Sequence, residues 1–252
     1  MASPYQGIDA SKWQETTRHL IAAHPLSPTE ILEIVQIAWA RVWQTRVGDV
    51  AGGFALAEIE PPATVVGAFF ERLFAKELAT RYPDKWTLGK GSQKDLHHLP
   101  DDSFSIELKT SGQPGFSIYG NRSYGQELEN EAAKKKDKSG YYITINFFGQ
   151  TLTLVRFGWI DASDWVSQRA STGQMAGLGA DVYKHKLVAI PGPYQLAAPA
   201  RLLKGVGEKL MKELQELKIQ TVLDLLRHQG ELRGRLQALQ KDARDYYKDL
   251  YQ

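Results

Sequence analysis

QKDLHHLPDDSFSIELKTS, residues 93–111, reads as a β-hairpin. Pro100, Asp101, Asp102 and Ser103 are turn residues between two alternating arms. On the second arm Phe104, Ile106 and Leu108 are apolar, while Ser105, Glu107 and Lys109 are polar. A strand repeats every two residues, so Glu107 and Lys109 share one face and Ile106 and Leu108 point to a core. With the turn centred on Asp101, Asp95 falls opposite Glu107. Two carboxylates and a lysine then occupy neighbouring cross-strand positions, ~5 Å apart at Cβ.

Such a face has two readings. It can be a solvated surface with charges placed for solubility. It can also be a site for metal-assisted phosphodiester cleavage. Paired carboxylates suit Mg²⁺, a hard cation that takes oxygen ligands. The ion polarises a phosphoryl oxygen and acidifies a bound water. A neighbouring lysine orients that water and offsets the charge that develops on phosphorus. The pattern Asp95…Glu107-x-Lys109 resembles the PD-(D/E)xK nuclease motif, although Lys94 stands where that motif has proline. A literal Pro100-Asp101 is present, but Asp101 sits at the turn tip, up to ~20 Å from Glu107 along an extended arm. The metal role therefore goes to Asp95.

The 252 residues allow one large or two unequal domains. A hydrophobic content of 42% against 24% charged residues is that of an ordinary globular chain. No apolar run reaches the ~20 residues of a membrane span, and the first residues lack a basic segment followed by an apolar one. The expectation is a soluble, cytoplasmic protein. The absence of cysteine excludes disulfides and thiolate metal sites. A net charge of +2 does not by itself announce a nucleic-acid partner. It fits an enzyme whose cationic groove is local.

Upstream, residues 12–50 read as two helices. Ser27-Pro28-Thr29-Glu30 is a capping-box signature, and Ile31, Ile34, Val35, Ala38, Trp39 and Val42 follow at helical spacing. After Pro61-Pro62, with Thr64 as the expected cap, Val66, Phe69, Phe70, Leu73, Phe74 and Leu78 define a further helix that runs to about Tyr82 and that Pro83 stops. Glu71 borders its apolar stripe and Glu77 lies nearer the middle. Either one is a salt-bridged boundary residue or a third acidic group over the hairpin face. His97 and His98 are adjacent on a strand, point to opposite faces and cannot share a metal.

Downstream, Gly120-Asn121-Arg122-Ser123-Tyr124 reads as a loop tip with amide, guanidinium and hydroxyl groups. Such groups read base edges and grip phosphates. Lys134, Lys135, Lys136 and Lys138 are either a solvated face or a phosphate rail. Residues 141–147 and 151–157 alternate around a Phe-Gly-Gln turn and extend the sheet as a second hairpin. Residues 161–165 look like a helix start, and 186–190 like a further strand. The glycine-rich run 171–180 lacks the lysine of a phosphate loop. Pro- and Ala-rich residues 191–200 mark a linker. Beyond it, Leu203-Lys204-Gly205-Val206-Gly207 and the helical residues that follow resemble a helix-hairpin-helix. Its glycines would let backbone N–H groups approach a phosphate, with Lys204 and Lys209 adding charge. A plain helical hairpin is the other reading. Residues 232–250 read as a terminal amphipathic helix. From Arg201 onward eleven Lys/Arg face eight Asp/Glu, a modest positive tilt.

Taken in order, Gly67…Glu71, Asp95…Glu107-x-Lys109, Gly120-Asn121-Arg122-Ser123-Tyr124 and Lys138-Ser139-Gly140-Tyr141-Tyr142 resemble the ScaI-like group of type II restriction endonucleases. That resemblance favours Glu71 over Glu77. Covering roughly Trp13 to Tyr194, it implies an α/β fold in a prokaryotic enzyme: a mixed central sheet flanked by helices, in a catalytic domain at 1–195. The small all-α helix-hairpin-helix domain at 196–252 is an addition that this nuclease core does not lead one to expect. The resemblance also implies a Mg²⁺-dependent enzyme, with Mn²⁺ as a substitute, acting as a homodimer on a short palindromic double-stranded DNA site. A companion DNA methyltransferase would act separately. Asp95 and Glu107 would hold metal, Lys109 would position water, and Glu71 would support them. Asn121, Arg122, Ser123, Lys134, Lys136, Gly205, Val206, Gly207 and Lys209 would contact DNA. The rivals are a non-catalytic DNA-binding protein and a repair or junction nuclease that reads DNA shape.

Overall fold

Ser27 ends the first helical turn region in the expected way. Its hydroxyl accepts from the Glu30 N–H, and the Glu30 carboxylate accepts from the Ser27 N–H. Both groups satisfy donors that a helix start leaves open. The computed structural model describes residues 2–49, 51–121, 138–167 and 175–251. The capped helix is α2 (Pro28–Gln44), preceded by α1 (Trp13–Ala23). A small hairpin of β1 (Arg46–Val47) and β2 (Phe54–Ala55) and the short α3 (Leu56–Ile59) lead to α4 (Ala63–Arg81). Pro62, not Thr64, is the N-cap of α4. Proline pre-sets the entry dihedral, so the helix starts two residues earlier than a Thr64 cap allows.

The main sheet contains β3 (Trp86–Leu88), β4 (Leu96–His98), β5 (Ile106–Ser111), β7 (Gly140–Phe148), β8 (Thr151–Ile160) and β11 (Leu187–Ala189). Its spatial order is β11-β8-β7-β5-β4-β3. The β5–β7 pair is parallel and the other pairs are antiparallel, which makes the sheet mixed. Leu96 pairs with Ile106, the register that places Asp95 opposite Glu107. The turn between these strands differs from a simple hairpin. Asp102–Phe104 form a 3-10 turn capped by the Asp101 carboxylate, which accepts from the Ser103 N–H at 2.9 Å. Phe104 is thereby withdrawn from the strand and packs beside the core.

One face of the sheet is closed by α1, α2 and α4. Ile31, Ile34 and Val35 of α2 and Phe70, Phe74 and Leu78 of α4 meet Ile106, Leu108, Ile143, Ile145, Val155 and Phe157 in one cluster. Burial of such apolar surface is the main stabilising term. On the other face lies a second cluster that includes Ile118, Tyr142, Trp165, Ala176, Val182 and Leu187. It sits beneath a small sheet of order β6-β10-β9, made by β6 (Tyr119–Asn121), β9 (Trp165–Ser167) and β10 (Met175–Leu178). Residues 161–165 thus give a three-residue 3-10 turn, Ala162–Asp164, and a strand, not a longer helix. Gly120 and Asn121 belong to a strand and not to a loop tip.

The C-terminal residues build a separate core. α5 (Glu208–Glu216), α6 (Val222–Arg227) and α7 (Gly234–Tyr246) bury Leu210, Leu214, Ile219, Leu225, Leu226 and Leu236 together. The first helix of the expected helix-hairpin-helix is only a 3-10 turn at Ala200–Leu202. Gly205 then adopts φ +90° and reverses the chain into α5. Between the cores, the turn Pro193–Ala197 places Tyr194 against the first and Leu196 against the second. Among the described residues no helix is long and apolar enough to cross a membrane.

Candidate active site

The site is assembled around the peptide unit of Leu108. Asp95 lies one residue before β4, and its Oδ2 accepts from the Leu108 N–H at 2.8 Å. Lys109 Nζ donates to Glu107 Oε1 at 2.7 Å and to the Leu108 carbonyl at 3.1 Å. These contacts follow from strand period: Glu107 and Lys109 flank Leu108 on the face opposite to its buried side chain. Glu107 is only 3% exposed, whereas the Lys109 side chain retains 18%. A carboxylate this buried is costly unless paired, and the ammonium supplies the pairing.

Glu71 joins them from α4. The helix crosses β5 at Gly67, where any Cβ would run into the Thr110 hydroxyl. Glu71 is one helical turn further on, on the same helix face. Its pKa is raised, first by burial and then by the Asp95 charge. Arg72 and Lys109 oppose that rise, and Glu107 adds to it. Glu71 thus feels two carboxylates and two cations, Arg72 and Lys109, and the cluster keeps a small excess of negative charge that a further cation would relieve. Glu77 is engaged elsewhere: it pairs with Arg41 and, at 3.2 Å, with Arg81.

Among the described residues no three His, Asp or Glu side chains form a complete metal cage. A pair of carboxylates beside a backbone carbonyl is nonetheless a fitting donor set for Mg²⁺, which keeps several waters and takes one or two carboxylates. His97 bonds Asp102 at 2.9 Å, and His98 bonds the Asp101 carbonyl at 3.0 Å and lies tilted against the Trp86 ring. Both histidines and both turn aspartates thus serve the turn.

Lys94 is the neighbour whose placement the sequence did not reveal. It is 6% exposed, and its Nζ donates to the Ser139 carbonyl at 2.7 Å. Its side chain lies against Gly140, which has φ +144°. The signal was present as Lys94 in place of proline and as the Ser139-Gly140 pair, but 45 residues separate them.

Of the residues expected to meet DNA, Asn121 ends β6 opposite Met175. Arg122, Ser123, Lys134 and Lys136 lie outside the described residues. Gly205, Val206, Gly207 and Lys209 are in the helical C-terminal unit, where Gly207 is the N-cap residue of α5.

A mixed sheet that brings an Asp and a Glu-x-Lys to one strand's peptide unit, with helices over one face, is a nuclease core of the PD-(D/E)xK class. The chain belongs to the ScaI restriction endonuclease family, which it matches over residues 3–191, and is a nuclease. It is 37% identical over 197 residues to the type II restriction enzyme ScaI of Streptomyces caespitosus, an alignment covering 75% of this chain and 84% of that protein. No solved structure matches it significantly.

Proposed function

We propose that the chain is a Mg²⁺-dependent type II restriction endonuclease that hydrolyses both strands of a short specific duplex site. The observation that carries this reading is the meeting of Asp95, Glu107 and Lys109 around the Leu108 peptide. Asp95 and Glu107 would hold the ion, and the Leu108 carbonyl lies beside them. The chemistry supplied there by a bound ion would be Lewis-acid: a more acidic water and a polarised phosphoryl oxygen. Lys109 orients the attacking water and compensates charge on the pentacoordinate phosphorus. The water oxygen bonds to phosphorus in line with the sugar oxygen that leaves. Glu71, whose proton is held more tightly than usual, orders the surrounding water.

A homodimer would match a palindrome, since each subunit reads one half-site and cuts one strand. Asn121 and the residues after it would read bases, and the lysines at 134 and 136 would follow the backbone. The helical unit at 196–252 would grip flanking phosphates through Gly205, Val206, Gly207 and Lys209, independently of sequence. A methyltransferase gene beside this one would protect host DNA.

The test is digestion of plasmid DNA with MgCl₂, followed by sequencing of the ends. Discrete fragments with one shared end motif support the reading. Intact plasmid contradicts it, and cutting confined to branched or damaged substrates favours a structure-selective nuclease.

A further inference from the structure

Arg156 of β8 pairs with Thr144 of β7, which pairs with Lys109 of β5. The three form one row across the sheet, on the face that carries Glu107. Arg156 is only 7% exposed. Among the described residues no carboxylate lies within ion-pair distance of it. Burial lowers its pKa to about 10, which leaves it charged at neutral pH. A buried cation without a counter-charge is costly, so the contacts it makes must need a guanidinium.

Those contacts converge on one short piece of main chain. Nη1 donates to Asn146 Oδ1 at 2.9 Å, and Nη2 donates to the Phe116 carbonyl at 2.9 Å. Asn146 extends the reach, because its Nδ2 donates to the Ser117 carbonyl at 3.0 Å. The guanidinium lies 5.1 Å from the centre of the Tyr183 ring. The Tyr183 hydroxyl in turn accepts from the Ile118 N–H at 2.7 Å. Residues 116 and 117 are thus held by their carbonyls to the sheet that bears Lys109, and Ile118 is held by Tyr183 of the helical turn Val182–Lys186, whose ring packs on Arg156. The next residues in sequence are β6 and then Arg122 and Ser123. A planar fork can hold two separated acceptors at fixed angles, which an ammonium cannot.

We propose that Arg156 is a positioning residue for sequence recognition: it ties Phe116, and through Asn146 Ser117, to the catalytic sheet and packs on the Tyr183 ring that holds Ile118, so that β6 meets the bases at a fixed offset from Lys109. This rests on the reading of residues 120–123 as the base-reading segment.

The experiment is digestion of a randomised duplex library with MgCl₂, with the ends sequenced and each protein's melting temperature recorded. The proteins are wild type, Asn121→Ala, Arg156→Lys, Arg156→Met and Tyr183→Phe. Wild type should cut one motif. Arg156→Met should lose about tenfold or more of its preference for that motif over single mismatches, the scale of one misplaced base contact. Arg156→Lys should restore little of it. Tyr183→Phe keeps the ring and removes one hydroxyl, and guards against failure of the arginine variants to fold. It should lose about fivefold, the scale of one hydrogen bond. A fall in cutting that is equal at all sites, with preference unchanged in Tyr183→Phe and in any folded Arg156 variant, assigns Arg156 a purely structural role and overturns the proposal. A wild type that leaves the library intact refutes the nuclease reading instead. A preference unmoved by Asn121→Ala but reduced by Tyr183→Phe would shift the reading segment, not the tether.

Discussion

Replacing Gly140 with alanine should damage stability through one buried lysine. Gly140 opens β7 with φ +144°, a conformation that L side chains rarely adopt. That strain costs roughly 1–3 kcal/mol. A Cβ there would also lie 2.5 Å from Lys94 Cε and 2.9 Å from its Nζ. Relief requires Lys94 to move, which breaks its bond to the Ser139 carbonyl. A hydrogen bond to a charged group contributes about 1.5–3 kcal/mol. Together the two effects reach about 2.5–6 kcal/mol, a large part of the roughly 5–15 kcal/mol that stabilises a typical protein. The melting temperature should fall by about 5–24 °C, at ~2–4 °C per kcal/mol for a chain of this size. Circular dichroism at 222 nm measures this directly. The two contributions separate in a Lys94→Met background, where the collision partner is changed and only the backbone strain should remain. A coupling of about 1–3 kcal/mol between the substitutions is expected. Strictly additive melting shifts, or a Gly140→Ala protein that melts within 2 °C of wild type (about the shift of 1 kcal/mol), would refute the reasoning.

Lys109→Ala should abolish cleavage while leaving DNA binding largely intact, as read by plasmid digestion beside a gel-shift assay; retained cleavage removes Lys109 from the mechanism. For Glu71 the sign is set by its raised pKa. The folded state holds this proton more tightly than the unfolded state, so stability is fully present below the unfolded pKa and falls as pH rises through the folded one. Glu71→Gln should therefore melt higher than wild type at pH 7.5, with the difference vanishing below the ordinary carboxylate range. Added MgCl₂ should narrow that gap at pH 7.5, and a gap indifferent to pH contradicts the charge cluster. Replacing Gly205 and Gly207 with alanine should weaken binding to all duplexes alike, since Gly205 has φ +90° and sits in the exposed turn before α5. A loss confined to one sequence argues against a phosphate contact.

Local physics made much of the site legible. The turn residues at 100–103 set the register, and the observed Leu96–Ile106 pair agrees with it. Period two put Glu107 and Lys109 on one face, and the capping box at Ser27 is formed as read. The strand ends were less legible, because Asp101 caps a 3-10 turn that removes Phe104 from the ladder. Alternation cannot distinguish an apolar strand residue from an apolar turn residue that packs beside the same core. The parallel β5–β7 pairing was invisible, since it joins segments separated by a long excursion. For the same reason Lys94 against Gly140 and Arg156 against Phe116 could not be read from spacing. The choice between Glu71 and Glu77 turned on arginines at 41 and 81, of which Arg41 comes from another helix.

The turn Pro193–Ala197 leaves almost no slack between the two cores, since Tyr194 is seated in one and Leu196 in the other. Arg201 stacks over Phe148 on the far side of that turn, 4.4 Å from the ring centre. The C-terminal unit is therefore bolted on and not tethered. A duplex held by it would be presented to Lys109 at a single set spacing, in the manner of a ruler. Tethered modules gain from a high local concentration, whereas this joint would select where along the double helix the cut falls.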